Sequence, residues 1–252
     1  MIRKINRKIT HSLNEKYPEW DVSVALRYLG IVKDIRKNFK NKVKILDVGS
    51  GGFGLCVYIK GKYDITGTDI ETGGKIFKNT KVIKASADKL PFKDSSYDII
   101  TSVDMMEHLP EKIRKKAVFE MVRVAEQKIY LAFPRGKMSA LIDRFIRRYY
   151  KFTHKRELDF LNEHIRYQLP KERETEVFFN EAASKYKKKI VVNKKGNTNI
   201  FLWLFLLIMG FSQVKILTSI YHKLLFFLPI LDNVHFFPTY RVVYEVNLEN
   251  RK

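Results

Sequence analysis

Apolar positions along the chain recur with two different periods. Val22, Leu26, Leu29 and Val32 fall at near-helical spacing, which predicts a helix over residues 21–40. Short apolar runs at Val43–Val48, Tyr63–Thr68, Lys81–Lys84, Tyr97–Val103 and Lys128–Phe133 predict five strands. A helix is predicted through Leu55–Ile59. Another, opened by Pro110, places Ile113, Ala117, Met121 and Ala125 on one face. Further on, residues 138–156 read as a helix, Lys188–Val192 as a strand and Tyr240–Val246 as a late edge strand. The runs between residues 200 and 237 are apolar all round, as in buried helices, membrane-dipping segments or the walls of a greasy pocket.

Strands alternating with helices at this spacing predict an α/β fold: a Rossmann-like, mostly parallel sheet with helices on both faces, plus a helical C-terminal cap. The expected organisation is a basic helical arm at 1–40, a ligand-binding core at 41–135, and a substrate-side elaboration at 136–252 that carries the last strands. At 252 residues and 45% hydrophobic content the chain can bury a real core. The single cysteine, Cys56, excludes a disulfide framework and a zinc site built on several thiolates. It fits a reducing compartment, so a cytoplasmic location is expected. The amino terminus is basic without the apolar stretch of a secretory signal, and no run reaches the ~18 apolar residues of a membrane span.

In parallel sheets, ligands bind beyond the carboxyl ends of the strands. Gly49–Gly54, Asp69, Ser86–Asp88 and Asp104–His108 all fall there. Gly49-x-Gly51-x-x-Gly54 is a tight strand-to-helix turn of the kind that admits a nucleotide, and Asp69 follows where an acid takes ribose hydroxyls. Asp47, just before the glycines, would repel a pyrophosphate. S-adenosylmethionine has no phosphate and carries a sulfonium and an ammonium. Acids at Asp47, Asp104 and Glu107 suit that cation better than a nicotinamide dinucleotide.

The ordered run ILDVGSGGFG, GTDIE, ASADKLPF and SYDIITSVDMMEHLP resembles the class I S-adenosylmethionine-dependent methyltransferases, within them the subgroup acting on small molecules, lipids and glycans. The resemblance covers roughly residues 41–135. It implies that Gly49 and Gly51 let the backbone approach the methionine portion, with Asp47 near its ammonium. It implies Asp69 on the ribose hydroxyls and Ile70 against the adenine. The family's adenine-contacting acid falls at Ser86 in this chain. Either Ser86 serves with the Ala87 amide, or the loop shifts to use Asp88. Arg27 and Tyr28 are candidates to cover the cofactor carboxylate.

Methyl transfer is an in-line displacement that needs alignment and exclusion of water, and a general base only for an acceptor such as a hydroxyl. His108 is the candidate base, beside the expected methyl position; its bland alternative is a histidine that packs or caps the next helix. Glu163 and His164 form a second candidate pair, in a region where the family places substrate-specific elements. No histidine or carboxylate spacing makes a metal site. The expected reaction is O-methylation of a small-molecule or lipid/glycan-type acceptor. An RNA methyltransferase and a non-catalytic cofactor-binding or membrane-surface protein are the alternatives.

Composition then bears on partners. The formal charge is +21, and sixteen of those charges lie outside residues 41–135. Nucleic acid is disfavoured, because the place of the Asn/Asp-Pro-Pro-aromatic tetrapeptide of base-amino methyltransferases reads Asp104-Met105-Met106-Glu107, and no RNA-binding module flanks the core. Arg144, Arg147, Arg148, Lys151 and Lys155 share one stripe of the 138–156 helix, opposite Leu141, Phe145, Tyr149 and Phe152. With the apolar 200–237 segment, that pattern points to an anionic membrane surface, reached peripherally from the cytoplasmic side. The sequence leaves the oligomeric state open.

Overall fold

The computed structural model describes residues 12–13, 15–17, 20–51, 54–59, 61, 63–71 and 80–250. The first eleven residues of the basic arm, and Gly52 and Phe53 of the glycine loop, lie outside the described residues. The chain forms one seven-stranded sheet of order β3-β2-β1-β4-β5-β7-β6. The first five strands are β1 (Lys44–Val48), β2 (Asp64–Asp69), β3 (Lys81–Lys84), β4 (Tyr97–Val103) and β5 (Ala125–Pro134). They pair parallel, in register Ile45↔Ile65 and Ile45↔Ile99 across the centre. The last two, β6 (Lys188–Asn199) and β7 (Thr239–Asn250), are antiparallel, with β7 between β5 and β6. The predicted edge strand near Tyr240 is therefore interior, and the edge is β6. Val242, Val243, Tyr244 and Val246 are all buried, as a strand covered on both faces requires.

Alternate side chains of each strand enter opposite layers. Ile45, Ile65, Ile99 and Val243 join one layer under α1 (Val22–Asn38). Leu46, Ile100, Leu131 and Tyr244 join the other, under α2 (Glu111–Val124) and α5 (Glu172–Lys185). Ala125, expected on the face of α2, instead starts β5. The predicted helix at Leu55–Ile59 is a single 3-10 turn at Leu55–Val57.

The cap is built from α3 (Gly136–His154) and α4 (Asp159–Tyr167), and from three helices inserted between β6 and β7. These are α6 (Ile200–Gly210), α7 (Lys215–Lys223) and the short α8 (Leu228–Leu231). Asn199 caps α6 by accepting from the amides of Phe201 and Leu202. Ile142, Ile146, Leu161, Ile200, Trp203 and Tyr240 close a third, smaller core beneath the cap. Asp21 caps α1 by accepting from the Val24 amide at 3.0 Å, and it also accepts from the Tyr221 hydroxyl at 2.8 Å, tying α7 to the amino-terminal helix.

The other end of α1 is pinned to the sheet through Asp34. Its Oδ2 accepts from Lys128 Nζ at 2.6 Å and from the Tyr130 hydroxyl at 2.5 Å. Partial burial alone would raise Asp34, but these two donors hold its carboxyl below the usual range. Asp34→Ala would leave Lys128 half-desolvated without a partner, so it should destabilise the fold by about 3 kcal/mol, with Asp34→Asn costing less. The native contribution is present at neutral pH and fades as pH falls through the lowered Asp34 value. Urea unfolding of both variants at pH 7 and at acid pH checks the size and the sign.

Candidate active site

Asp69 ends β2 beside the glycine loop. Its Oδ2 accepts from the Gly51 amide at 2.9 Å and its Oδ1 from the Glu71 amide at 3.0 Å. Each oxygen keeps a lone pair for a ligand hydroxyl. Gly49 and Gly51 adopt positive φ of 73° and 53°. A side chain at Gly49 would collide with Met105, whereas one at Gly51 would enter open space. A cavity of about 380 Å³ lies against this loop, walled by Gly49, Asp69, Ile70, Ser86, Ala87 and Asp104, among others. Ile70 is 63% exposed, an apolar side chain available to the flat face of a base. Ser86 and Ala87 are in the wall and Asp88 is not; Asp88 accepts from the Ser86 hydroxyl at 2.5 Å and so fixes it.

Asp47 is placed differently from its expected role. It is buried, its Oδ2 accepting from the Leu55 amide at 2.6 Å and its Oδ1 from the Thr101 hydroxyl at 2.7 Å. It braces the loop from behind instead of facing a ligand's ammonium. Burial pushes it up to about 6, against the pull of those two donors. The case against a pyrophosphate survives for a different reason. Only one 3-10 turn follows the loop, and the Leu55 amide, which would face a phosphate at a helix start, is already taken by Asp47.

Asp104 stands in the cavity wall, as expected, but its charge is already engaged. It ends β4 with φ 52°, a left-handed conformation uncommon outside glycine. Arg241 Nε donates to both its oxygens, at 2.6 and 2.8 Å, and Arg27 lies 3.0 Å away. Burial alone would raise Asp104; Arg241 and Arg27 hold it below the carboxylate range. Its charge is thus balanced internally instead of being presented to a cation. Arg27, expected near the cofactor carboxylate, lines a second cavity instead, and Tyr28 is buried, stacked on Tyr58.

This second cavity, about 240 Å³, lies beneath the cap. Both cavities are walled by Asp104 and His108. The two candidate pairs, 55 residues apart in sequence, meet here: His108 Nδ1 is 2.6 Å from Glu163 Oε2, and the His108 and His164 rings are 4.9 Å apart. Burial, aided by His164 and opposed by Glu163, moves His108 below its ordinary value. His164 is buried, its Nδ1 2.9 Å from Asp143 Oδ2, and Asp143 Oδ1 accepts from the Tyr240 hydroxyl. Glu107 is fully buried, and burial, with Asp104 adding to it, pushes it well above the carboxylate range.

Sequence reasoning missed Arg241, Asp143, Tyr240 and Trp203. The signal for the first was present: Arg241 is the lone charge inside the apolar run Tyr240–Tyr244. Asp143 is likewise the one acid among the cations of α3.

A parallel five-stranded core with a glycine turn after β1 and an acid after β2 defines a Rossmann-like nucleoside-binding domain. Comparison with known proteins makes this specific. Residues 46–133 match the family model described as "Methyltransferase domain". Over that stretch the chain carries a methyltransferase domain. The chain is similar to norajmaline N-methyltransferase of Rauvolfia serpentina, 32% identical over 117 residues, covering 41% of this chain and 38% of that protein. Ajmaline N-methyltransferase of the same plant is 30% identical over the same extent. The match thus spans under two fifths of these relatives' length. Among solved structures, the plantazolicin methyltransferase BamL, in complex with a triazolic desmethylPZN analog and SAH, superposes with a TM-score of 0.58. It is 13% identical, over 97% of this chain and 91% of that one. Magnesium protoporphyrin IX methyltransferase from Synechocystis PCC 6803, with bound SAH, gives 0.52 at 11% identity, over 90% and 84%. These structures share the fold.

The raised Asp47 has a measurable consequence. Because its folded value of about 6 exceeds its ordinary 3.8, its contribution to stability should decline as pH rises from about 4 to about 6 and stay level above. Asp47→Asn should remove that decline, which urea unfolding of both proteins across the range will reveal.

Proposed function

We propose that this chain transfers a methyl group from S-adenosylmethionine to a small-molecule or lipid/glycan-type acceptor, at oxygen. The observation that carries this reading is the pair of adjoining cavities that share Asp104 and His108 as a wall. S-adenosylmethionine, when bound, supplies a methyl carbon already activated by its sulfonium. Asp69 would hold the ribose hydroxyls, Ile70 would cover the adenine, and Ser86 with the Ala87 amide would meet its edge. Gly49 and Gly51 leave room for the methionine portion. The acceptor would occupy the inner cavity under Trp203 and Phe211, where the cap excludes water. A hydroxyl acceptor must give up a proton, and His108 and His164, each braced by a carboxylate, supply imidazoles to receive it. The similar proteins act, by their names, on norajmaline, ajmaline and magnesium protoporphyrin IX, which supports a small acceptor.

The exposed surface favours a lipid-linked form of that acceptor. Ser139, Ile142, Asp143 and Ile146 are the face of α3 that enters the core. At 100° per residue, the Arg144–Lys151 stripe and the Met138–Leu141–Phe145–Phe152 row occupy two further faces. Phe152 is 75% exposed, and on the rest of the cap Phe201 is 63% and Phe237 83% exposed. Apolar side chains facing solvent beside a cationic stripe suit an anionic bilayer surface. No described helix is long and apolar enough to cross a membrane.

Two measurements test these readings. In calorimetry, wild type should bind S-adenosylhomocysteine, and Asp69→Ala should weaken binding at least about tenfold, the loss of charged hydrogen bonds to two hydroxyls. Absence of wild-type binding contradicts the enzyme reading. In flotation, the chain should rise with anionic vesicles and stay behind with neutral ones or in high salt. Replacing Arg144, Arg148 and Lys151 by Gln should abolish flotation; recovery equal to wild type sinks the membrane reading.

A further inference from the structure

Glu107, His108 and His164 form a cluster whose arrangement methyl transfer alone does not require. Neither carboxylate oxygen of buried Glu107 meets a hydrogen-bond donor among the described residues. Nε2 of His164 is also buried without a partner, and it stands 3.9 Å from Glu107 Oε1. Leaving such groups unsatisfied costs about 1–3 kcal/mol each, so a cluster of them points to something that satisfies all of them together.

The other ring nitrogens show how that happens. His108 Nδ1 is held by Glu163 and His164 Nδ1 by Asp143, at 2.6 and 2.9 Å. A carboxylate that takes the Nδ1 proton fixes the tautomer and leaves the Nε2 lone pair free, the bracing found behind metal-ligating histidines. One ligand atom from each of Glu107, His108 and His164 lies within 4.8 Å of the other two. Ligands about 2.1 Å from a common cation stand roughly 3–4 Å apart, so modest side-chain movement closes the set. The charge agrees. The inner cavity is lined by four carboxyl groups, Asp21, Asp104, Glu107 and Asp143, against two guanidiniums, Arg27 and Arg241.

We propose that Glu107, His108 and His164 bind a divalent cation in a two-histidine, one-carboxylate site open to the inner cavity. Its mixed nitrogen and oxygen donors suit zinc, manganese, iron or cobalt better than calcium or magnesium. The open side would take an oxygen of the acceptor, orient it toward the shared wall and favour its ionised form, in place of proton uptake by the two imidazoles, whose Nε2 lone pairs the cation would hold. That use rests on the proposed methyl transfer; the binding of the cation does not. The spacing hid the site, because His164 reaches the Glu107–His108 pair only through the packing of α4 on the 3-10 turn after β4.

The test uses the full chain, stripped by chelator, with no methyl donor present. Titration with Co2+ should produce ligand-field absorption bands saturating at one equivalent, and Zn2+ should compete for the same site. His164→Ala and Glu107→Gln should each weaken binding at least about a hundredfold. Asp143→Asn, which keeps all three ligands, should weaken it about tenfold. Circular dichroism identifies any variant that has lost its fold; His108→Ala, altering the more accessible ligand, then carries the comparison. Absence of a stoichiometric Co2+ signal in wild type, or affinity unchanged in His164→Ala and His108→Ala, overturns the proposal. S-adenosylhomocysteine binding, measured in parallel, separates the failures: its loss with Co2+ binding intact contradicts the methyltransferase reading alone.

Discussion

The structure turns on one buried carboxylate. Asp104 sits in a left-handed conformation at the end of β4 and binds Arg27 from α1 and Arg241 from β7. Three distant parts of the chain converge on that charge. Both guanidiniums also face the Trp203 ring of the cap, Arg241 at 4.0 Å and Arg27 at 5.3 Å. An aspartate this enclosed is tolerable only when paired, and removing it would leave two guanidiniums uncompensated. The same group forms the wall between the two cavities, so the interaction that joins the cap to the sheet also fixes where a donor and an acceptor would meet.

Much of the core was legible because its constraints are local. Five strand positions, the glycine turn and Asp69 follow from period, turn chemistry and the rule that ligands sit at strand ends, whereas Ile70 came from the family resemblance. What was not legible depends on direction or on long-range packing. Asp47 reads as a ligand-facing acid, yet the pleat turns it inward onto Leu55 and Thr101. The late strand near Tyr240 reads as an edge because its partner β6 is largely polar, with lysines at 188, 189, 194 and 195. Glu163 and His164 were visible as a pair, but nothing in their spacing says that α4 lays them against His108.

The uneven charge has a similar explanation. The excess lies mainly outside the cofactor-binding core, whose acids are spent on internal bonding. On α3 the cations occupy a face distinct from both the buried face and the exposed apolar row. A helix with three such faces is not an ordinary amphipathic lid, whose apolar side would be covered by the domain. Its first turn borders a cavity of about 660 Å³, lined by Lys137, Arg144 and Lys171 among others and adjoining the inner cavity through Asp143 and His164. A cationic surface thus adjoins the inner cavity.

In the proposed reaction, donor and acceptor meet at the wall formed by Asp104 and His108. A crystal structure of the chain with S-adenosylhomocysteine tests it most directly. The nucleoside should lie in the 380 Å³ cavity, ribose on Asp69, with the sulfur directed at Asp104 and His108. A sulfur facing away from that wall, or the nucleoside bound elsewhere, would contradict it.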